Sequence, residues 1–139
     1  MGLNDLEAAY KKTIYACPTR NFKLIHDENN TLLDAALARD NYGTLCILTA
    51  YNPRSEVQPE LENVRNQLML KEKLDWLGYE VWEGVNQDPL GDFPDEASWW
   101  VLGMPHFEGI EVAREWHPNA FMYYKAYGKA QLIWCNYPS

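Results

Sequence analysis

Three short stretches hold the side chains best suited to chemistry. The first is Thr49-Ala50-Tyr51-Asn52-Pro53-Arg54-Ser55, which places a carboxamide, a guanidinium and a hydroxyl within four residues. The second supplies two further carboxamides, Asn63 and Asn66, and the third a carboxylate and a hydroxyl, Glu96 and Ser98. Amides and hydroxyls both donate and accept, so such a set suits a polar ligand. Glu96 also has the chemistry of a general base. Arg54 and Ser55 precede a helical pattern whose first-turn N–H groups would favour an anion. The glycines of a phosphate-cradling loop are missing there.

Other chemistries find less support. Asp88, Asp92 and Asp95 lie close together, but not at calcium-loop spacing, and read as a solvated lid. His26, His106 and His117 show no zinc spacing. Cys17, Cys46 and Cys135 are odd in number and far apart, with no C-x-x-C pair. No G-x-S-x-G elbow is present, so a nucleophilic enzyme is not supported.

The elements that must carry these groups follow from periodicity and punctuation. Thr44 to Ala50 is a nearly continuous apolar run, as expected of a strand covered on both faces. Pro59 opens a long helix, with Glu60 and Glu62 at its positive end, and Gly78 closes it. Tyr79 to Glu83 is then a short strand, so strand, helix and strand imply a right-handed parallel crossover. Gly84 to Glu96 reads as a long loop and Ala97 to Met104 as a strand with Trp99 and Trp100. Pro105 to Trp116 reads as a last helix. Asn4 with Glu7 suggests a capped first helix, and Asn30 or Thr31 caps a second one ending near Asp40 to Gly43. Turn residues between Thr13–Cys17 and Phe22–His26, and between Ala120–Lys125 and Ala130–Cys135, predict two hairpins.

The long helix is the most informative element. Asn63, Asn66, Leu70, Leu74 and Leu77 share one stripe at 3.6 residues per turn. The leucines direct that stripe to the core, so Asn63 and Asn66 are expected to point inward beside the Asn52 loop. There they either hydrogen-bond the loop backbone or present groups to a ligand, and the two roles are compatible.

The whole-chain balance narrows the partners. Hydrophobic residues make up 47% and charged residues 23%, an ordinary globular composition. Asp+Glu 20 against Lys+Arg 12 gives a net charge of −8, which repels phosphate backbones and anionic lipid. Met1 to Asp5 lacks a charged-then-apolar leader, and no run approaches a membrane span. A reduced, cytoplasmic protein is expected, with no nucleic-acid or membrane partner.

Together these stretches resemble domain-of-unknown-function family 3293. The resemblance is carried by Leu48 to Ser55, by Glu62-Asn63-Val64-Arg65-Asn66 with Leu70, and by Asp95-Glu96-Ala97-Ser98-Trp99-Trp100. Arg114-Glu115-Trp116-His117-Pro118-Asn119-Ala120 is similar to the family's Gly-Gln-Asn-Ala segment, with Pro118 in place of the usual Gln; Tyr51 replaces a frequent Trp. The likeness covers roughly Tyr10 to Cys135. It implies a small bacterial or phage protein and brings no activity with it.

The expected fold is one α/β (α+β) domain over residues 1–139. It is a mixed central β-sheet flanked by helices, with N-terminal and C-terminal β-hairpins around a βαβ unit. The expected function is small-molecule binding at the carboxyl end of Thr44–Ala50, the ligand being polar or nucleotide-like and the protein in one version a phage-type sequestering protein. The ligand-binding set is Thr49, Tyr51, Asn52, Arg54, Ser55, Asn63, Asn66, Glu96 and Ser98. One alternative is a hydrolase or transferase with Glu96 as general base, to which a metal on Asp92 or Asp95 is an optional addition. Another is an acidic protein-interaction or inhibitor domain. No cofactor or resident metal is expected, and the C-terminal hairpin edge leaves room for a homo-oligomer.

Overall fold

The computed structural model describes residues 3–135, with side chains from residue 5 onward. Met1 and Gly2, part of the stretch read for a leader, lie outside the described residues. The order is α1 (Leu3–Lys12), β1 (Ile14–Cys17), β2 (Phe22–Leu24), α2 (Thr31–Arg39), β3 (Thr44–Leu48) and α3 (Glu60–Trp76). There follow β4 (Glu80–Gln87), β5 (Glu96–Leu102), α4 (His106–Ala113), β6 (Ala120–Lys125) and β7 (Gln131–Trp134). One seven-stranded sheet, ordered β2-β1-β4-β5-β3-β6-β7, collects every strand. The α/β class is as expected, and so are both hairpins, β1–β2 and β6–β7.

The crossover takes a split form. β3 and β4 each pair antiparallel with β5, so they run parallel to each other with β5 between them. Among the described residues every hydrogen-bonded strand pair is antiparallel, and the parallel relation spans two steps of the sheet.

Alternation along the strands divides the core in two. Tyr15, Leu45, Ile47, Trp82, Trp100, Leu102 and Tyr124 line one face with Leu33 and Leu37 of α2. Cys46, Leu48, Trp99, Val101 and Phe121 line the other beneath Leu70 and Leu74 of α3 and Val112 of α4. β3 is buried from Leu45 to Leu48, which is why its sequence is an unbroken apolar run.

Three expectations shift. Gly84 lies inside β4 rather than opening a loop, so the strand reaches Gln87. A Cβ on Gly84 would come within 2.6 Å of the Trp100 indole, so glycine here marks a close approach of a large ring to the sheet. The true loop is 88–95, where the Asp88 carboxylate accepts from the backbone N–H groups of Leu90, Asp92 and Phe93. Asn4 falls within α1, which starts at Leu3, rather than preceding it. Asn30 does cap α2, accepting from the Leu33 N–H at 2.9 Å.

Candidate functional site

Sheet order decides which segments meet at the end of β3. β5 and β6 flank β3 and run against it, so both begin where β3 stops. Glu96, the first residue of β5, and Asn119, just before β6, therefore lie on either side of the 49–59 loop. β1 and β4 bring their own ends to the same rim, and α1 carries Tyr10 there. The Tyr10 ring meets Trp134 of β7 edge-on at 5.8 Å.

Asn52 is the hub of the loop. Its Oδ1 accepts from the Gln58 N–H at 2.9 Å and from Asn63 Nδ2 at 2.9 Å. Its N–H donates to Asn63 Oδ1 at 2.9 Å, and its own Nδ2 donates to Glu96 Oε1 at 3.1 Å. Asn63 is buried and spent on this loop. Thr49 ties the start of the loop to β5, donating to the Ala97 carbonyl at 2.7 Å and accepting from the Tyr51 N–H.

The second inward carboxamide is Gln67, where Asn66 was expected. Gln67 is buried, and its Oε1 accepts from the Ala50 N–H at 2.8 Å; its backbone carbonyl accepts from the Trp99 indole. Asn66 is half-buried, and Leu77 is exposed. The inward stripe thus runs Asn63, Gln67, Leu70, Leu74. Both 66 and 67 are one turn from 63 and 70, so spacing alone does not separate them. The missed signal is that a stripe ending at Leu74 rather than Leu77 is centred one residue further along.

Arg54 and Ser55 lie in a short 3-10 turn, Pro53–Ser55, separated from α3 by four residues. The first turn of α3 holds Glu60 and Glu62, and Glu60 accepts from the Tyr51 hydroxyl at 2.9 Å. Carboxylates therefore stand where an anion would bind. The Arg54 backbone N–H donates to the His117 carbonyl at 2.7 Å, stitching the two loops together. Ser55 Oγ accepts from Asn119 Nδ2 at 2.8 Å and lies 3.5 Å from the Tyr10 hydroxyl. Tyr10, Gln58 and Asn119 were not expected in the cluster; only the Asn119 segment had drawn notice, through its family likeness.

Backbone strain concentrates at the same place. Asn52, Arg54, Ser55 and His117 all have positive φ, between 44° and 61°. Non-glycine residues adopt that region at a cost and persist in it where surrounding contacts hold them, often at functional sites.

Glu96 is the electrostatic centre. Burial raises its carboxyl above the usual range, the Asn52 amide partly opposes that, and the Glu60 charge adds to the rise. On the same sheet face, Ser98 Oγ, Asn86 Oδ1 and the Trp100 indole N–H are buried without a hydrogen-bond partner. Asn86 is directly opposite Glu96 in the β4–β5 register, and Gly84 opposite Ser98. Burial dominates the upward shift at Tyr10 as well, to which the nearby Glu96 charge contributes. Both tyrosine and glutamic acid are thus biased toward their neutral forms.

Asp92 and Asp95 are exposed on the 88–95 loop. Among the described residues no three potential metal ligands converge, so the metal variant of the enzymatic alternative gains no support from the donor set. No described helix is long and apolar enough to cross a membrane. A surface groove of about 460 Å³ lies elsewhere, between the end of α3 and α4. A crevice of about 230 Å³ runs over Gly84 and Ser98, next to Glu96 in the strand. The rim at Asn52 is the stronger candidate because it joins strain, buried polar groups and a desolvated carboxylate.

A family model described as "Protein of unknown function (DUF3293)" matches residues 48–121. That span contains Asn52, Ser55, Asn63, Gln67, Glu96 and Asn119. No curated protein matches the chain, and no solved structure does.

Proposed function

The chain belongs to the DUF3293 family, and from the polar cluster inside the matched span we propose that it binds a small ligand rich in N–H donors at the Asn52–Glu96 rim. Glu96 carries this proposal. A carboxyl group drawn out of water, with one amide contact and another carboxylate nearby, is poorly stabilised as an anion. A ligand that offers N–H groups or a positive charge supplies what is missing. A nucleobase edge, an amine or an amidine has that chemistry, and flanking Tyr10, Tyr51 and Trp134 give planar surfaces to stack on. Glu60 and Glu62 disfavour a phosphate at the same place, so within the nucleotide-like class the base is the better match.

Isothermal calorimetry against nucleobases, nucleosides and small amines tests the proposal. Binding by a member of that panel, weakened in Glu96→Gln, is the expected result. Silence across the whole panel overturns it.

The raised carboxyl of Glu96 favours one further reading, general-base catalysis on a ligand held there. A Glu96→Gln variant that keeps all turnover of any substrate found would remove it.

A further inference from the structure

The outer face of α3 is apolar where a surface helix should be polar. Leu61 (73% exposed), Leu68 (57%) and Trp76 (81%) lie opposite the buried stripe of Asn63, Gln67, Leu70 and Leu74. Val64 and Met69 flank them and are also exposed. At 3.6 residues per turn, Leu61, Arg65, Leu68, Glu72 and Trp76 follow one another along this face. Among the described residues neither Arg65 nor Glu72 enters an ion pair within the chain.

The order of these residues is self-complementary. Laid antiparallel against a copy of itself with the two-fold axis between Leu68 and Met69, the helix sets Leu61 against Trp76 and Arg65 against Glu72. Leu68 then faces Met69 at the centre. Each contact occurs twice, as an isologous interface requires. Apolar residues meet apolar ones, and the two charges on the face meet their opposites.

We propose that the chain forms a two-fold dimer through antiparallel pairing of α3. The occupant of this face is a second copy, because a single helix already supplies both halves of the charge pairing. Membrane lipid has no such match, and the chain's net charge of −8 opposes an anionic bilayer. The interface lies on the face of α3 turned away from the Asn52 rim, so ligand binding and dimerisation can be tested apart.

Sedimentation equilibrium of the full chain, from micromolar to millimolar, tests this. A reversible dimer is expected, and Leu68→Glu should leave only monomer. Arg65→Glu alone and Glu72→Arg alone each set like charges together twice, and each should weaken association by about tenfold or more. The double variant Arg65→Glu/Glu72→Arg restores both pairs and should recover most of the lost affinity. All three substituted positions are exposed, and far-UV circular dichroism checks that the fold is kept. A monomer at every concentration overturns the proposal, as does a dimer indifferent to Leu68→Glu. A double variant no better than the singles would overturn the antiparallel pairing and point to a different partner for this face.

Discussion

The Asn63 side chain grips both the backbone and the side chain of Asn52. Its Oδ1 takes the Asn52 N–H and its Nδ2 gives to the Asn52 Oδ1, each at 2.9 Å. A residue with an apolar side chain at 63 leaves the Asn52 N–H without this acceptor. Leaving a buried polar group unmatched costs on the order of 1–3 kcal/mol. Asn63→Leu is therefore expected to lower the unfolding free energy, read from urea denaturation, by an amount in that range and to release the loop that holds Asn52 against Glu96. Ligand affinity should fall with it. A variant with parental stability and parental binding would show that this pair does not hold the rim.

Part of this was legible beforehand. The leucine stripe of α3 identified an inward face, and its continuation into carboxamides beside the β3 loop pointed to Asn63. The apolar run at Leu45–Leu48 marked β3 as an interior strand for the same reason: burial on both sides leaves no room for alternation. Strand order was not legible, because local patterning does not say which strand inserts between β3 and β4. Once β5 does so and β6 pairs with the other edge of β3, Glu96 and Asn119 necessarily flank the loop. The left-handed backbone at Arg54, Ser55 and His117 was hidden too, since these residue types do not demand it. Gly84 misled because glycine serves both loops and close packing, and here a Trp100 ring three-dimensionally adjacent decides the matter.

Gln67 and Asn66 provide a sharper contrast, since they are neighbours of similar chemistry. Gln67 Oε1 holds the Ala50 N–H at 2.8 Å, while Asn66 is half-buried and lies outside the loop's hydrogen-bond network. Gln67→Leu should cost roughly 1–3 kcal/mol through the orphaned Ala50 N–H. Asn66→Leu should stay within about 0.5 kcal/mol, as surface substitutions usually do. Chemical denaturation of the two variants side by side checks the register of α3 directly. Equal losses would place both side chains inward.

Far from the rim, Asp34 ties the stability of the fold to pH. It is buried on the inner face of α2, where burial alone would raise its carboxyl. Hydrogen bonds from the Tyr124 hydroxyl at 2.6 Å, the Tyr127 N–H and Asn29 outweigh burial and hold it below its ordinary 3.8. A depressed carboxyl binds fewer protons folded than unfolded, so its stabilisation is present above 3.8 and fades as pH falls through the lower folded value. Tyr124→Phe removes the shortest of these bonds and should cost roughly 1.5–3 kcal/mol at neutral pH, the range for hydrogen bonds to charged groups. The loss should shrink at low pH, where Asp34 is protonated. Thermal melts of both proteins from pH 2 to pH 7, values set by the 3.8 reference, give the comparison. A pH-independent difference would mean the hydroxyl acts through packing alone.

Glu96 should behave in the opposite sense. Its folded carboxyl is raised above the ordinary 4.5, chiefly by burial, so the folded chain binds more protons than the unfolded one in the window above that value. Stability therefore declines as pH climbs from about 4.5 to the folded value and is flat beyond it. Glu96→Gln keeps an oxygen for the Asn52 amide and removes the charge that burial penalises. It should raise the melting temperature by a few degrees at neutral pH and make little difference in acid below 4.5. The same substitution should weaken a ligand whose N–H groups face the carboxylate. Because such a ligand favours the anion, its binding to the parent in mild acid, where part of Glu96 is protonated, should release protons, and the calorimetric heat there should change with the ionisation enthalpy of the buffer. Increased stability together with weakened binding is what a functional carboxylate predicts, since a purely structural one would lose stability when its charge is removed. A Glu96→Gln protein that melts lower at neutral pH would place Glu96 in the scaffold and not in the site.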